Sequence, residues 1–146
     1  MPVIAAVGVW VTLNQFRLAR EKNRRDEFDR LFARRMAVYQ ATRDALAGAF
    51  DPKTSDDDVR VYGLVALEAQ FLFDPQLFRY LREVHRRVAM YRNAQSREKH
   101  ATDVETKKAH AKIKDEQLTW LVEQGDEASG FATRFEPYLR FEPKFR

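Results

Sequence analysis

The three histidines are the side chains of this sequence best suited to hold a metal ion. They are His85, His100 and His110. A carboxylate-bridged metal bundle needs Glu-x-x-His pairs on facing helices, because that spacing points both ligands into the core. Here the residue three positions before each histidine is basic, and no His-x-x-x-His or His-Glu-x-x-His segment occurs. The pattern therefore predicts no metal site, and we expect each histidine at the surface or half-buried.

No other catalytic pattern rises above background in this sequence. Phosphate cradles need a Gly-rich turn before a helix, and the 5 glycines form no such segment. Ser55 fits a helix cap, Ser96 a polar linker and Ser129 a loop, while the absence of Cys excludes thiolate chemistry. Two of the 22 acidic residues could meet as an acid–base pair, but no spacing nominates them. We predict no cofactor and assign no catalytic residue.

The most concentrated charge lies in the basic stretch 79–99. On a helix, positions 79, 82 and 86 share one face, and position 97 joins them if the helix is long enough. Three interpretations are open: a solvated face, a contact with anionic lipid, and nucleic-acid binding. Interleaved acidic residues disfavour the third, so we predict no nucleic-acid partner. The candidate contacts to an anionic surface are Arg79, Arg82, Arg86 and Arg87.

The composition that must position these residues is typical of one helical domain. The chain has 146 residues, of which 45% are hydrophobic and 33% charged, with few Gly and Pro. Between residues 13 and 50 no Pro occurs, and apolar residues recur at spacings of three, four and seven. This stripe predicts a first helix that ends near residue 50, with these residues inward: Phe28, Leu31, Phe32, Val38, Tyr39, Ala45, Leu46 and Phe50.

Cap signals divide the rest of the chain into further helices. Ser55 begins a capping box with Asp58 and predicts a second helix to about residue 73. We expect the three apolar residues of the FLFDP segment at 71–75 to pack at the corner after this helix. Asp74-Pro75 predicts the start of a third helix that fades near residue 93, with Phe78, Leu81, Val84, Val88 and Tyr91 inward.

The last third of the chain is predicted to form a loop, a fourth helix and a packed tail. Residues 93–101 are polar and aperiodic, which indicates a loop or a frayed helix end. Thr102 and Glu105 have the spacing of a second capping box, and Gly125 or Gly130 interrupts the helix that follows. Its predicted inward residues are Val104, Ile113, Leu118, Leu121 and Val122. The aromatic tail repeats RFEP at 134–137 and 140–143, and we expect it to pack back on the bundle.

The N-terminal segment predicts a membrane anchor. The first 16 residues carry no charge, just under the roughly 20 apolar residues that cross a bilayer core. A short span, an interfacial anchor and a soluble core helix are all open, and we favour the span. The residues expected in the membrane are Val3, Ile4, Val7, Val9, Trp10, Val11 and Leu13.

Basic residues directly behind this apolar segment predict its orientation. They are Arg17, Arg20, Lys22, Arg24 and Arg25. Lys and Arg next to a span favour the cytoplasmic side, so we expect the C-terminal bulk in the cytoplasm, held at the inner membrane. The same residues are positioned to meet lipid headgroups. No basic region precedes the apolar run, which disfavours a signal peptide.

Taken as a whole, the pattern resembles a widespread set of bacterial proteins of uncharacterised function with one N-terminal span and a short cytosolic helical domain. The matching segments are FRLAREKNRRDEFDRLFARRMAVYQATRDAL, FLFDPQLFRYLREV and FEPYLRFE. They cover most of the chain apart from the stretch 93–112. The resemblance implies a membrane-anchored helical domain, and it carries over no catalytic residue. This chain departs from the set in having a shorter apolar segment.

These observations predict an all-α bundle of about four helices, whose long first helix continues from the anchor. We expect an anchor at 1–18 and a cytosolic helical domain at 19–146. The function that fits is a membrane-tethered interaction or scaffold module with a protein partner or a second copy of itself. The alternatives are a bundle that binds a small ligand or acts as an enzyme, and a module that binds anionic lipid through helix 79–99.

Overall fold

The computed structural model is built from helices joined by short turns. It describes the backbone of residues 2–126 and 130–140, and the side chains of residues 13–126 and 130–140. The helices are α1 (Pro2–Gly48), α2 (Asp56–Glu68), α3 (Pro75–His100), α4 (Val104–Glu123) and α5 (Phe131–Leu139), with a 3-10 turn at Ala69–Phe71. No strand occurs in the part described, which confirms the all-α prediction. The fifth helix arises because the aromatic tail is helical.

The helices α1, α2 and α3 run side by side. Arg35 donates from Nε to the carbonyl oxygen of Leu72 at 3.2 Å, and the rings of Phe50 and Tyr91 lie 5.9 Å apart. Since both contacts follow chain order, α1 and α3 run in the same direction. The turn at 49–55 reverses the chain, so α2 runs opposite to both. At that turn Arg92 donates to the carbonyl oxygens of Asp51 and Thr54.

The core centres on α3. Its side chains of Leu81, Val84 and Val88 are almost fully buried, as the sequence spacing predicted. Helix α2 covers one side through Tyr62 and Ala66. Burial of each large aliphatic side chain contributes about 1.5–3 kcal/mol, so this stripe supplies much of the energy that holds the helices together.

Only the second half of α1 belongs to this core. Val38 and Leu46 are buried, whereas residues 13–30, called the stem below, are exposed except for half-buried positions at 14 and 28. Beyond the exposed apolar side chains of Leu13, Phe16 and Leu18 the stem is polar, and charge pairs at i,i+4 stabilise a helix of that kind. The stem has that spacing repeatedly: Arg17–Glu21, Glu21–Arg25, Lys22–Asp26, Arg25–Asp29 and Asp26–Arg30.

Two of the predicted helix caps are confirmed, and one is displaced by a residue. Ser55 and Asp58 form the capping box, and Asp74 accepts the backbone N–H of Leu77 at 2.8 Å. The prediction of Thr102 as a cap was wrong, because Asp103 accepts the backbone N–H of Thr106 at 2.7 Å instead. The two candidates are adjacent, and Asp is at least as good a cap as Thr.

The predicted loop at 93–101 was also wrong, because α3 continues to His100. Ala94 is buried in the extra turns, and Glu98 forms an ion pair with Lys114 of α4 at 2.5 Å. The polar residues here lie on a helix that faces solvent on one side and the polar face of α4 on the other. Aperiodic hydrophobicity therefore concealed a helix.

Helix α4 packs through a more polar stripe than the sequence predicted. Leu121 is buried and Leu118 partly so, but Val104, Ile113 and Val122 are exposed. The buried stripe instead includes Gln117 and Gln124. Tyr80 of α3 donates from its hydroxyl to Oε1 of Gln124 at 3.0 Å. The face of α3 that α4 covers carries polar ends, so polar partners replace aliphatic ones.

The aromatic tail packs on the bundle as predicted over its described part. The ring of Phe135 is fully buried, 5.3 Å from Tyr39 and 5.4 Å from Phe73 in edge-on contacts. Tyr138 donates its hydroxyl to Asp74, which ties α5 to the start of α3. Phe71 departs from the prediction for the FLFDP corner, since its side chain is exposed while Leu72 and Phe73 are buried.

We expect Phe135→Ala to lower the free energy of unfolding by about 3–5 kcal/mol, because it leaves a cavity between the rings of Tyr39 and Phe73. Phe71→Ala is the matched control, since Phe71 is 76% exposed and Phe135 is 0% exposed. The control should change stability by less than about 0.5 kcal/mol. Urea denaturation of both variants measures the difference. Equal effects would contradict the placement of α5.

Candidate functional site

A basic groove runs along α3 and is bordered by α4. Its volume is about 700 Å³, and four arginines line it: Arg79, Arg82, Arg86 and Arg97. The apolar floor comes from Ala89, Met90 and Ala94 of α3 and Ile113 of α4. His85 and His110 lie at its sides. This volume falls in the range of ligand-binding clefts, and the length of α3 makes the groove an elongated one.

Helical spacing on α3 explains how the arginines come together. Positions 79, 82, 86, 90, 93 and 97 recur at three and four residues and so share one face. The sequence predicted this alignment for the first three arginines and allowed it for Arg97. It did not find Ile113 and His110, because a loop was predicted where α3 turns into α4. The short connection between α3, which ends at His100, and α4, which begins at Val104, is the feature that could have placed α4 beside this face.

The arginines of the groove differ in how they are paired. Arg86 donates to both carboxylate oxygens of Glu83, at 2.6 and 2.8 Å, and contacts the sulfur of Met90 at 3.1 Å. Within the described residues no carboxylate pairs with Arg82 or Arg97. These two exposed guanidinium groups keep their hydrogen-bond donors available. The groove is therefore positively charged and can accept an anionic group.

Arg87, the fourth predicted contact to an anionic surface, does not line the groove. It points toward α4, where its Nε donates to Glu83 at 2.6 Å and its Nη1 donates to Gln117 at 3.2 Å. Its guanidinium carbon lies 5.0 Å from the centre of the Trp120 ring. These contacts occupy Arg87 in packing α3 against α4.

His85 connects the groove to α2. Its Nε2 lies so near Gly63 that an added Cβ there would be only 2.7 Å away, and its ring lies 6.1 Å from Tyr62. Burial and the neighbouring Arg82 hold the pKa of His85 below its usual value, against the effect of a hydrogen bond with the Val59 backbone. His85 therefore acts in helix packing.

The core offers no free polar group to a small molecule. Tyr62 donates to Oγ1 of Thr42 at 3.4 Å, and Gln124 donates to the carbonyl oxygen of Trp120 at 2.8 Å. Among the described residues, every buried side-chain nitrogen and oxygen has a partner. A second cavity of about 280 Å³ between α1 and α2 is lined mainly by Ala and Val.

The described residues contain no group of three or more His, Asp or Glu side chains that could hold a metal ion. His85 and His110 share the groove but lie among arginines, whose charge opposes a bound cation. The chemistry that the groove can support is binding of negative charge beside a small apolar floor.

The predicted anchor residues lie mostly outside the described side chains. These are Val3, Ile4, Val7, Val9, Trp10 and Val11. Leu13 is described and is exposed, as are the five predicted topology residues Arg17, Arg20, Lys22, Arg24 and Arg25. In the described part of the chain, no helix has an apolar stretch long enough to cross a membrane.

Comparison of the chain with protein-family models, curated proteins and solved structures finds no match.

Glu83 gives a pH-dependent test of the α3 charge cluster. Hydrogen bonds from Arg86 and then Arg87 lower the pKa of Glu83 to about 2. A lowered folded-state pKa stabilises the protein above the usual pKa near 4.5, and this contribution is lost as the pH falls toward 2. We expect Glu83→Gln to cost about 1 kcal/mol or less at pH 7, because the carboxylate is partly solvated.

Urea denaturation of this variant and the parent between pH 7 and pH 3 measures the effect. The difference in unfolding free energy should narrow progressively below pH 4.5. Asp44→Asn is the matched control, because the Asp44–Arg43 pair is exposed and joins neighbouring residues. A difference for Glu83→Gln that stays constant with pH would count against the cluster.

Proposed function

We propose that the chain is a membrane-tethered interaction module that binds the acidic face of a protein partner in its basic groove. The observation that carries the proposal is the groove itself, in which Arg82 and Arg97 lie exposed without carboxylate partners beside an apolar floor. Helix-in-groove recognition combines such a floor with charged residues at its edges. Met90 suits this use because its flexible side chain adapts to different apolar surfaces.

The stem supports the tether. α1 is one unbroken helix from Pro2 to Gly48, so the segment predicted to enter the membrane and the bundle share a single axis. A helix rises 1.5 Å per residue, so the stem from Arg25, the last residue predicted to meet the headgroups, to the level of Arg35 spans about 15 Å. Charge pairs at i,i+4 keep such a helix extended in water without a partner. The stem then acts as a spacer between membrane and bundle.

Binding of anionic lipid by the groove is the second candidate, and it is favoured by the shared face of Arg79, Arg82, Arg86 and Arg97. The spacer opposes it. Exposed charges are largely screened beyond a Debye length, about 8–10 Å at physiological salt. With the stem upright, the groove is at least about one and a half such lengths from the headgroups. Lipid contact would require the stem to lie flat, so we favour a protein partner.

The tether is tested by fractionation of the full chain carrying a C-terminal tag. We expect the tagged chain to sediment with the inner membrane and to resist alkaline carbonate, because its apolar segment enters the bilayer. Deletion of residues 2–13 should release it to the supernatant, while Val122→Asp, at an exposed site on α4, should not. Protease added to spheroplasts should spare the tag. A full chain that remains in the supernatant would refute the tether.

The two candidate partners of the groove are separated by a fluorescent reporter. The chain contains no Cys, so Asn93→Cys places a single environment-sensitive dye in the groove. In nanodiscs we expect the same emission with neutral lipid as with anionic lipid, because the stem holds the groove away. Leu18→Cys, at the end of the predicted anchor, is the control at the membrane surface. A blue shift at position 93 that needs anionic lipid and disappears in salt would favour lipid binding.

A further inference from the structure

The outer face of α2 is an exposed apolar stripe. Its members are Val61, Leu64, Leu67 and Phe71 from the following turn, and each is between 42% and 76% exposed. They recur at spacings of three and four, on the opposite side of the helix from buried Tyr62 and Ala66. A contiguous patch of this kind marks an interaction surface in a soluble domain.

Acidic residues flank this stripe. Asp56, Asp57 and Asp58 occupy the first turn of α2, and Glu68 ends the helix. Arg60, the one basic residue of α2, pairs with Asp57 at 2.6 Å in an exposed ion pair. The outer face is therefore that of an acidic amphipathic helix, which is the chemistry that the basic groove of α3 accepts.

The two faces match in spacing as well as in charge. On α2, Asp57 lies seven residues before Leu64, and Glu68 lies four after it. On α3, Arg97 lies seven residues after Met90, and Arg86 lies four before it. In an antiparallel pair of helices, Leu64 opposite Met90 thus brings Asp57 opposite Arg97, which has no carboxylate partner among the described residues. The same register brings Glu68 opposite Arg86, which Glu83 already pairs within its own chain. Each seven-residue interval is about 10 Å long on either helix.

We propose that α2 of one copy docks in the basic groove of a second copy in this antiparallel register. The inference rests on the proposed function of the groove and names its partner as the chain itself. A chain cannot fill its own groove with this stripe, because its α2 already packs on α3 through Gly63 and His85. The contact joins two different surfaces of one sequence, so each copy presents both halves.

The orientation is compatible with a common membrane. Within a chain α2 runs opposite to α1 and α3. When α2 lies antiparallel to α3 of the second copy, the two α3 helices run in the same direction, and so do the two α1 helices. Both stems then leave the assembly on the same side. A symmetric antiparallel pairing of two α2 helices would point the stems in opposite directions.

Engineered disulfides test the register, because the chain has no Cys of its own. One full-length chain carries Leu64→Cys and a second, differently tagged, carries Met90→Cys; both are mixed in detergent and oxidised mildly. We expect the mixed disulfide to dominate. Val122→Cys, an exposed apolar site on α4, is the matched control with Met90→Cys. A yield no higher than in this control would overturn the proposal.

A charge exchange separates the specific contact from general adhesion. Asp57→Arg in the first chain should reduce the yield about tenfold, since it sets like charges opposite each other at Arg97. Arg97→Asp in the second chain alone should do the same, and the two changes together should restore the yield. A yield insensitive to these changes would also overturn the register. If the mixed disulfide forms but the full chain does not sediment with the membrane, only the proposed tether is refuted.

If no mixed disulfide forms, but Arg97→Asp in the full chain abolishes recovery of an acidic protein with it from membranes, the proposed function stands and the second copy is ruled out as the partner. Urea denaturation of each single variant verifies folding, and all substituted positions are exposed, so the comparison does not depend on core packing.

Discussion

Burial of the apolar stripe of α3 is the constraint on which the other described helices depend. Leu81, Val84 and Val88 are removed from water only when α1, α2 and α4 surround them. The charged side chains of α3 must then lie on its remaining faces, because they cannot be buried in the apolar core. This division leaves the arginines on the side opposite α1, and the groove follows from it rather than from a separate element.

The arginines of α3 show how desolvation decides the character of a neighbouring helix. Arg87 is partly buried, and a buried guanidinium is costly unless hydrogen-bonded, so it is matched by Glu83, Gln117 and the ring of Trp120. Arg82 and Arg97 remain in water and need no such partners. The polar stripe of α4 is thus the consequence of a charge on α3, and it explains why α4 resembles a poor core helix in sequence.

Much of the fold could be predicted from the sequence, because apolar periodicity and helix caps are local signals. The stripe of α3, most of the stripe of α1, the capping box at Ser55 and the packed tail were predicted; Phe50, predicted to face inward, is instead 42% exposed. The continuation of α3 past residue 93 did not, since its support comes from the ion pair between Glu98 and Lys114, a contact between helices. The prediction of the inward face of α4 was wrong for the same reason.

The candidate site was only partly visible in the sequence. The spacing of Arg79, Arg82 and Arg86 placed them on one face, but the floor residue Ile113 belongs to a helix whose position no local pattern gives. Arg87 was grouped with the others because the sequence does not show which arginine contacts a neighbouring helix. In the structure Arg87 is bound to Gln117 of α4. The membrane anchor concerns residues outside the described side chains and stays a prediction.

The charged stem also has an angular consequence. A rigid helix turns by about 100° per residue. The number of residues in the stem therefore determines how the bundle, and with it the groove, is rotated about the helix axis relative to the anchor. Removal of one residue would rotate the groove by more than a quarter of a circle while shortening the stem by only about 1.5 Å. Removal of seven would shorten it by about 10 Å and nearly preserve the direction. The length of the stem thus determines the rotational orientation of the bundle as well as its distance from the membrane.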